Sequence, residues 1–151
     1  MSAVLSDAAA FRPMRVADLD AILLIEQDIY AHPWTSGNFR DSLHAGYSSW
    51  VMECGGRLAG YGVLMIGVNE AHLLNLSVAA IQQRRGLGRT LLHHFIDIAR
   101  GCQAERLFLE VRPSNAPARA LYASFAFEVV GRRPGYYADT GEDGLLLARN
   151  L

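Results

Sequence analysis

The spacing of apolar residues predicts helices in the first third of the chain. Within residues 16–30, apolar positions recur three and four residues apart, and acidic residues lie between them. That period places the apolar side chains on one face, so we expect an amphipathic helix with an acidic face. Thr35 or Ser36 can cap a second helix that runs to about His44, and Gly46 can end it. The acidic positions of the first helix are Asp18, Asp20, Glu26 and Asp28.

Strand-like runs follow these two helices. Residues 48–54 and 57–68 are rich in apolar side chains, and Gly55-Gly56 between them can adopt the positive φ of a tight hairpin. Residues 70–79 alternate apolar with other side chains, which predicts a third strand of the same sheet. We therefore expect antiparallel strands in the first half of the chain.

The second half alternates strands with helices. Apolar residues at helical spacing follow Gly88 and predict a helix to about Arg100, and Asn115 can cap another helix through Phe125. Further strands are predicted at residues 107–111, 127–132 and 144–149. This order predicts an α/β fold with antiparallel strands first and a β-α-β crossover in the middle.

Length and composition fit one folded domain. Of 151 residues, 51% are hydrophobic and 19% are charged, which is enough apolar surface for one core and too little charge for a disordered segment. We expect a single domain over residues 1–151, with residues 1–10 as a loose N-terminal end. The sequence lacks a signal segment and an apolar run of membrane-spanning length, so we expect a cytoplasmic protein with no membrane contact.

Charge and cysteine content narrow the function classes. A net charge of -1 argues against a domain built to bind nucleic acid or an anionic membrane. All fourteen basic residues are arginine, for which codon bias is the simpler account. Cys54 and Cys102 lie far apart, and no C-x-x-C or H-x-x-x-H pattern is present. We therefore expect neither a disulfide framework nor a metal site.

The turn Q-R-R-G-L-G at residues 83–88 carries the most informative chemistry. Glycines at the start of a helix let a ligand approach main-chain N–H groups that have no helical partner and carry partial positive charge. Phosphate is the natural ligand, and Arg84, Arg85 and Arg89 add full charges at the same place. An ordinary strand-to-helix turn with a solvated basic patch is the alternative. The third glycine of a dinucleotide fingerprint and the lysine of a P-loop are both absent.

Four motifs in order carry a resemblance to a known family. Q-x-x-G-x-G, after a strand that ends N-L-S-V and before a helix, resembles the coenzyme A motif of the GNAT acetyltransferase superfamily. Matches to the second half of that fold are L-E-V-R at 109–112, S-N at 114–115, A-L-Y at 120–122, Phe125 and Phe127. H-P-W at 32–34 and G-Y-Y at 135–137 are similar to segments of its RimI branch, the ribosomal-protein alanine N-acetyltransferases.

The resemblance covers residues 11–151 and implies a GNAT fold. That fold has a central mixed, twisted sheet of about six to seven strands, flanked by about four helices. The implied cosubstrate is acetyl-CoA, with no metal. The main chain at Leu76, Ser77 and Val78 would pair with the pantetheine arm like an added strand, and an N–H near Val78 would face the thioester carbonyl.

The resemblance also assigns the phosphate contacts. The pyrophosphate would lie on the main-chain amides of the turn. These positions are Arg84, Arg85, Gly86, Leu87, Gly88 and Arg89. Asn115 resembles a further coenzyme contact, although a helix cap explains that residue equally.

Glu110 and Tyr122 resemble the catalytic pair of the family. Glu110 would act as general base through a water molecule, and Tyr122 would protonate the coenzyme A sulfur as general acid. The alternatives are a carboxylate paired with Arg112 or a neighbouring arginine, and a tyrosine that only packs in the core. Aromatic side chains that would line the acceptor channel, or else pack loops over the sheet, are Trp34, Tyr136 and Tyr137.

The branch implies direct acetyl transfer, in a ternary complex, to the N-terminal alanine of small-subunit ribosomal protein eighteen. The N-terminal peptide of that protein is then the partner, and we expect a monomer. The acidic helix face could attract such a basic protein, although solvation explains it too. On the same scaffold, a lysine side chain or a small amine is the alternative acceptor. A non-catalytic coenzyme A-binding module is the last alternative, and Glu110 and Tyr122 count against it.

Overall fold

Seven strands form one mixed sheet in the computed structural model, which describes residues 8–83 and 85–151. The strands are β1 (Ala9–Pro13), β2 (Ser48–Cys54), β3 (Arg57–Ile66), β4 (Glu70–Val78), β5 (Arg106–Val111), β6 (Glu128–Tyr137) and β7 (Glu142–Asn150). Their order across the sheet is β1-β2-β3-β4-β5-β7-β6. β4 and β5 pair in parallel, and the other neighbours pair antiparallel. The predicted antiparallel first half and central crossover are confirmed.

The described residues also contain four α-helices. They are α1 (Leu19–Ile29), α2 (Ser36–His44), α3 (Leu87–Gly101) and α4 (Ala116–Ser124). Thr35 caps α2 by accepting a hydrogen bond from the Asn38 N–H at 3.2 Å, as its sequence position predicts. α1 begins three residues later than predicted, because residues 16–18 form a single turn of 3-10 helix instead. The predicted GNAT architecture of six to seven strands and about four helices is confirmed.

The N-terminal end corrects one sequence prediction. Residues 1–10 were predicted to be loose, yet Ala9 already pairs with Cys54 on the edge of β2. Arg12 fixes the same strand, since its guanidinium lies 2.7 Å from an Asp18 oxygen and 3.1 Å from a Glu53 oxygen. An alanine-rich sequence lacks the alternation of apolar and polar residues that predicts a strand. This segment becomes a strand only because it pairs with the open edge of β2. Residues 1–7 lie outside the described part of the chain.

The last two strands are longer than predicted. β6 extends through Tyr137 and not only to residue 132, and its register with β7 shifts twice on the way. Charged Arg132 and Arg133 and the following Pro134 obscure the strand in the sequence. Because β6 is the edge of the sheet, proline and exposed charges are tolerated there. The longer strand carries Tyr137 back toward the centre of the sheet.

Helices cover both faces of the sheet. α3 packs on one face, where Leu91, Leu92 and Phe95 are fully buried among inward side chains of β2 to β5. α1 and α2 cover the other face through a smaller cluster that includes Ile22 and Phe39. Strand side chains alternate between the two clusters, as the period of two requires. A glycine, Gly62, is needed under α3, because a Cβ at that position would lie 2.5 Å from the ring of Phe95.

The sheet opens at its centre between β4 and β5. These parallel strands pair only from Glu70 to Leu73 on β4 and from Arg106 to Leu109 on β5. Leu74 stands opposite a shift in the register between β3 and β4, so β4 bulges where its pairing with β5 ends. Beyond that point both strands continue without pairing to each other, and an edge of β4 faces a gap.

Candidate active site

A cavity of about 240 Å³ fills the gap between β4 and β5. Its walls come from the end of α1 and the loop that follows, from β4 and β5, from the start of α4, and from Tyr137 on β6. The predicted site residues that line it are Trp34, Leu76, Glu110, Asn115, Tyr122 and Tyr137. The structure thus brings both members of the predicted catalytic pair to one cavity.

The free edge of β4 presents main-chain groups of alternate residues. The Ala79 N–H donates to the Ala59 carbonyl at 2.8 Å, so Ala79 and every second residue before it point toward β3. Leu76 and Val78 therefore direct their main-chain groups into the gap. Their carbonyls are already occupied, because the Tyr30 hydroxyl donates to Leu76 O at 3.2 Å and Gln83 Nε2 donates to Val78 O at 3.0 Å. The N–H groups of Leu76 and Val78 point into the gap.

Ser77 departs from its predicted role. It was expected to pair with the pantetheine arm together with Leu76 and Val78, but its main chain belongs to the ladder with Tyr61 of β3. The Ser77 hydroxyl is buried and lies 2.7 Å from the Tyr30 hydroxyl oxygen. Strand alternation is the reason, since three consecutive residues cannot all face one edge. Ser77 therefore supports the site from behind the strand.

The glycine turn leads directly into α3, as the sequence predicts, and the structure adds its backbone geometry. Gly86 is the N-cap, with a left-handed φ of 76° and no side-chain hydrogen bond at the cap. The first N–H groups of α3, at Leu87, Gly88 and Arg89, have no acceptor one turn earlier within the helix. Helix α3 is 15 residues long, so its dipole adds partial positive charge at this end. The turn can hold an anion on its main chain.

The arginines of the turn differ from one another. Arg85 is exposed and donates to the side chain of Gln82. Arg89 turns away toward the end of α4, where it donates to Ser124 Oγ at 2.7 Å and lies 4.7 Å from the ring centre of Phe125. Packing between α3 and α4 therefore accounts for the position of the Arg89 side chain, and only its main-chain N–H stays at the turn. Arg84, the third predicted phosphate contact, lies outside the described residues.

Glu110 lies on β5 with its carboxylate largely covered. Its side chain is 14% exposed, and Arg133 of β6 approaches one oxygen to 3.5 Å. Arg112, the other suggested partner, is occupied elsewhere: it makes a two-pronged contact with Asp139, the shorter arm 2.7 Å long. The Arg112 guanidinium also lies over the ring of Tyr137 at 3.9 Å. The contact with Arg133 is long, and Glu110 also borders the cavity.

Tyr122 lies on α4 beneath the cavity and is buried. Burial is the main cause that raises the pKa of its phenol, and the neighbouring phenols of Tyr30 and Tyr137 raise that pKa further. The hydroxyl therefore stays protonated through the physiological range, as an acid must before it donates. The ring also packs against Phe127, with 5.6 Å between centres, so the packing role considered for Tyr122 is realised as well.

The three residues predicted to line the acceptor channel do not all lie at the cavity. Tyr137 lines the cavity, and burial is the main cause that raises its pKa to about 12. Trp34 lines the opposite side and packs against Phe39, with 5.0 Å between ring centres. Tyr136 is 45% exposed and covers Gly144 on the outer side of the hairpin, where a Cβ would lie 2.9 Å from its ring. The prediction for Tyr136 is corrected because neighbouring strand residues point to opposite faces.

The position of Asn115 is compatible with both of its predicted roles, the helix cap and the coenzyme contact. Its side-chain oxygen accepts a hydrogen bond from the Ala118 N–H at 3.2 Å and so caps α4. The same residue borders the cavity. The cap fixes the start of the helix that carries Tyr122.

Glu26 is a site residue that the sequence analysis assigned to a solvated face. It is fully buried, borders the cavity, and accepts a hydrogen bond from the Tyr61 hydroxyl at 2.6 Å. The prediction is wrong because Glu26 lies in the apolar stripe of α1, four residues after Ile22 and three before Ile29. An acid in the middle of an apolar stripe was the available signal.

The described residues offer neither a metal cluster nor a membrane-spanning helix. No group of three or more His, Cys, Asp or Glu side chains there could hold a metal ion. No helix of residues 8–83 and 85–151 is long and apolar enough to cross a membrane.

Comparisons with known proteins agree with this geometry. Residues 19–127 match the acetyltransferase (GNAT) family. The chain is 37% identical to the putative ribosomal protein bS18-alanine N-acetyltransferase of Bacillus subtilis, with 92% of this chain and 93% of that protein covered. It is 36% identical to the N-alpha-acetyltransferase RimI of Mycobacterium tuberculosis, with coverage of 90% and 85%.

A solved structure extends the likeness to three dimensions. The crystal structure of the ribosomal-protein-S18-alanine N-acetyltransferase from Escherichia coli superposes with a TM-score of 0.87 at 34% identity. That match covers 95% of this chain and 94% of the other. Sequence and fold over nearly the whole length lead to one assignment. The chain belongs to the GNAT family of acetyltransferases, in its RimI branch, and is an acetyl-CoA-dependent N-acetyltransferase.

Proposed function

We propose that the enzyme transfers acetyl from acetyl-CoA directly to the N-terminal alanine of ribosomal protein bS18. The observation that carries the proposal is that Glu110 and Tyr122 border one cavity, beside the free edge of β4. The names of the Bacillus subtilis and Escherichia coli relatives support this acceptor. The loop that follows α1 borders the cavity, and an N-terminal amine, with a pKa of about 8, needs less activation than a lysine side chain.

Acetyl-CoA would lie along β4 and reach the glycine turn. One of its pantetheine amides would bond to the main-chain N–H of Leu76, and the N–H of Val78, which also faces the gap, would be left for the thioester carbonyl. Its pyrophosphate would lie on the turn after Gly86, where the helix start offers several N–H donors. The Val78 N–H would then stabilise the oxyanion of the tetrahedral intermediate, a contribution of about 3 kcal/mol for one well-placed donor.

Proton transfers complete the reaction without a covalent enzyme intermediate. The neutral amine attacks the thioester carbon, Glu110 removes the extra proton of the nitrogen through water, and the carbon–sulfur bond breaks. Tyr122 gives its proton to the leaving thiolate and regains one from solvent afterwards. Direct transfer is favoured because neither cysteine borders the cavity: Cys54 is buried in the main core cluster and Cys102 is exposed after α3.

A substitution in the glycine turn tests where the coenzyme binds. Gly86→Val is expected to weaken acetyl-CoA affinity at least about 10-fold in calorimetry, because a branched side chain strains the left-handed φ and covers the amides. Gly56→Val is the matched control, since Gly56 has a φ of 75° with open space around it but lies in the β2–β3 turn. Wild-type affinity in Gly86→Val would remove the pyrophosphate from this turn.

An acceptor panel tests the proposed substrate. A peptide with the N-terminal sequence of bS18 is expected to gain one acetyl group at its α-amine, read by mass spectrometry. The same peptide with a blocked N-terminus is the control and is expected to remain unmodified. Acetylation of an internal lysine or of small amines instead would replace the proposed acceptor. Coenzyme binding without transfer to any of these amines would favour a non-catalytic module.

A further inference from the structure

Glu26 is a buried carboxylate that the proposed reaction leaves without a task. It projects from α1, is 0% exposed, and borders the cavity. Within the described residues, the ion pairs do not include Glu26. Burying a carboxylate costs several kcal/mol unless other groups satisfy it. Hydrogen bonds to uncharged groups therefore have to hold this one.

One oxygen of Glu26 holds the acceptor side of the cavity. Oε1 accepts a hydrogen bond from the Trp34 main-chain N–H at 2.8 Å. Trp34 lies in the loop between α1 and α2, and its ring forms part of the wall. A main-chain contact of this kind fixes the loop itself and not only a side chain. Charge-assisted bonds of this length are about twice as strong as bonds between neutral groups.

The other oxygen holds the coenzyme side. Oε2 accepts hydrogen bonds from the Tyr61 hydroxyl at 2.6 Å and from Asn75 Nδ2 at 3.3 Å. Ser77 Oγ lies 3.3 Å from the same oxygen and 2.8 Å from Asn75 Oδ1, and its one proton can go to either. Asn75 and Ser77 belong to β4, directly behind its free edge. The Tyr30 hydroxyl joins this network through Ser77 and also donates to the Leu76 carbonyl, which lies on that edge.

The phenols of this network stay protonated and can serve as permanent donors. Burial is the main cause that raises the pKa of Tyr61, and the hydrogen bond to Glu26 raises it further. Burial likewise raises the pKa of Tyr30 to about 12. A fully satisfied buried network is rigid, because each member loses a partner if another moves.

We propose that Glu26 is a positioning residue that connects the acceptor loop to the coenzyme edge of β4. Its two oxygens bond to opposite walls of the cavity and so fix the distance between the incoming amine and the thioester. Misplacement of reacting groups by about 1 Å can cost 100-fold in rate, so such a link has kinetic consequences. This inference rests on the proposed function only where it concerns the wall at Trp34, near the acceptor amine. Its part on the β4 wall, where the coenzyme would bind, requires no assumption about which amine is acetylated.

The test is the isosteric variant Glu26→Gln. The amide oxygen still accepts from the Trp34 N–H, but the NH2 group in place of Oε2 cannot accept from Tyr61, Asn75 or Ser77. We expect kcat to fall about 10- to 100-fold, KM for each substrate to rise less than about 10-fold, and the pH profile of kcat to keep its shape. Asp28→Asn is the control, because it makes the same charge change at an exposed site on the same helix.

Two results would overturn the proposal. Wild-type kcat together with wild-type KM for both substrates would mean that the network does not position them. A fall in kcat of more than about 100-fold, with loss of one limb of the pH profile, would make Glu26 a proton-transfer group instead. Acetyl-CoA affinity by calorimetry is measured in parallel and needs no acceptor, so it separates a failure of this inference from a wrong acceptor assignment.

A second variant keeps the test decisive if Glu26→Gln does not fold. Tyr30→Phe removes the hydroxyl that joins the network to the Leu76 carbonyl and leaves the bond between Glu26 and Trp34 intact. We expect acetyl-CoA affinity to fall several-fold while KM for the acceptor stays within twofold of wild type. An acceptor defect with normal coenzyme affinity, or wild-type values for both, would contradict the proposed link.

Discussion

Tyr122→Phe is expected to lower kcat by about 100- to 1000-fold while acetyl-CoA still binds normally. The variant removes one oxygen from a buried ring that keeps its edge contact with Phe127, so the fold and the shape of the cavity are preserved. What is lost is the proton for the leaving thiolate. Steady-state kinetics gives kcat, and calorimetry gives the affinity for acetyl-CoA.

The pH dependence follows from the raised pKa of Tyr122. An acid with a raised pKa stays protonated to higher pH, so Tyr122 causes no loss of wild-type activity up to about pH 10, the ordinary pKa of tyrosine. Tyr47→Phe serves as control, because Tyr47 is a half-buried tyrosine outside the cavity. Wild-type turnover in Tyr122→Phe would leave that residue with a packing role only.

Glu110→Gln has the second large expected effect. We expect kcat/KM at pH 7 to fall about 100-fold, because the variant cannot accept the proton of the amine. An α-amine has a pKa of about 8, so more of the acceptor arrives neutral as the pH rises. The deficit relative to wild type should therefore shrink above pH 8. Values of kcat/KM measured over a pH series, with the bS18 N-terminal peptide as acceptor, give this deficit.

Arg133→Gln separates catalysis from ion pairing at Glu110. It removes the arginine that lies 3.5 Å from the Glu110 carboxylate and keeps the carboxylate itself. Because Arg133 is half exposed, the pair contributes at most about 1 kcal/mol to stability. We expect turnover of Arg133→Gln within threefold of wild type. Equal losses in the two variants would make the ion pair, and not the base, the function of Glu110.

Local sequence signals were sufficient to predict most of the helices and strands and the glycine turn before α3. Period and caps predict α2 and α3, since Thr35 and Gly86 act through bonds and backbone angles within one turn of the chain. They miss all of β1 and the end of β6, because those segments become strands only by pairing with a neighbour. The placement of Tyr137 in the cavity depends on that longer β6.

Site residues could be predicted from the sequence where they lie together in one short segment of the chain. Glu110, Asn115 and Tyr122 lie within one strand–turn–helix segment, so their order brings them to the same cavity. Ser77 and Tyr136 were placed wrongly because a strand sends consecutive residues to opposite sides, and the sequence does not say which side faces the gap. Arg89 was placed at the turn, yet its contacts with α4 depend on how two helices pack.

The sequence by itself determined the GNAT family, the α/β order and the glycine turn before α3, because each rests on short-range patterns. Only the tertiary structure decided that β4 and β5 part after Leu73 and Leu109, which creates the cavity and its free edge. It also decided that Glu26 is buried among donors from α1, β3, β4 and the loop at Trp34. The physical reason is that a buried charge needs partners from several segments, and only folding brings these together.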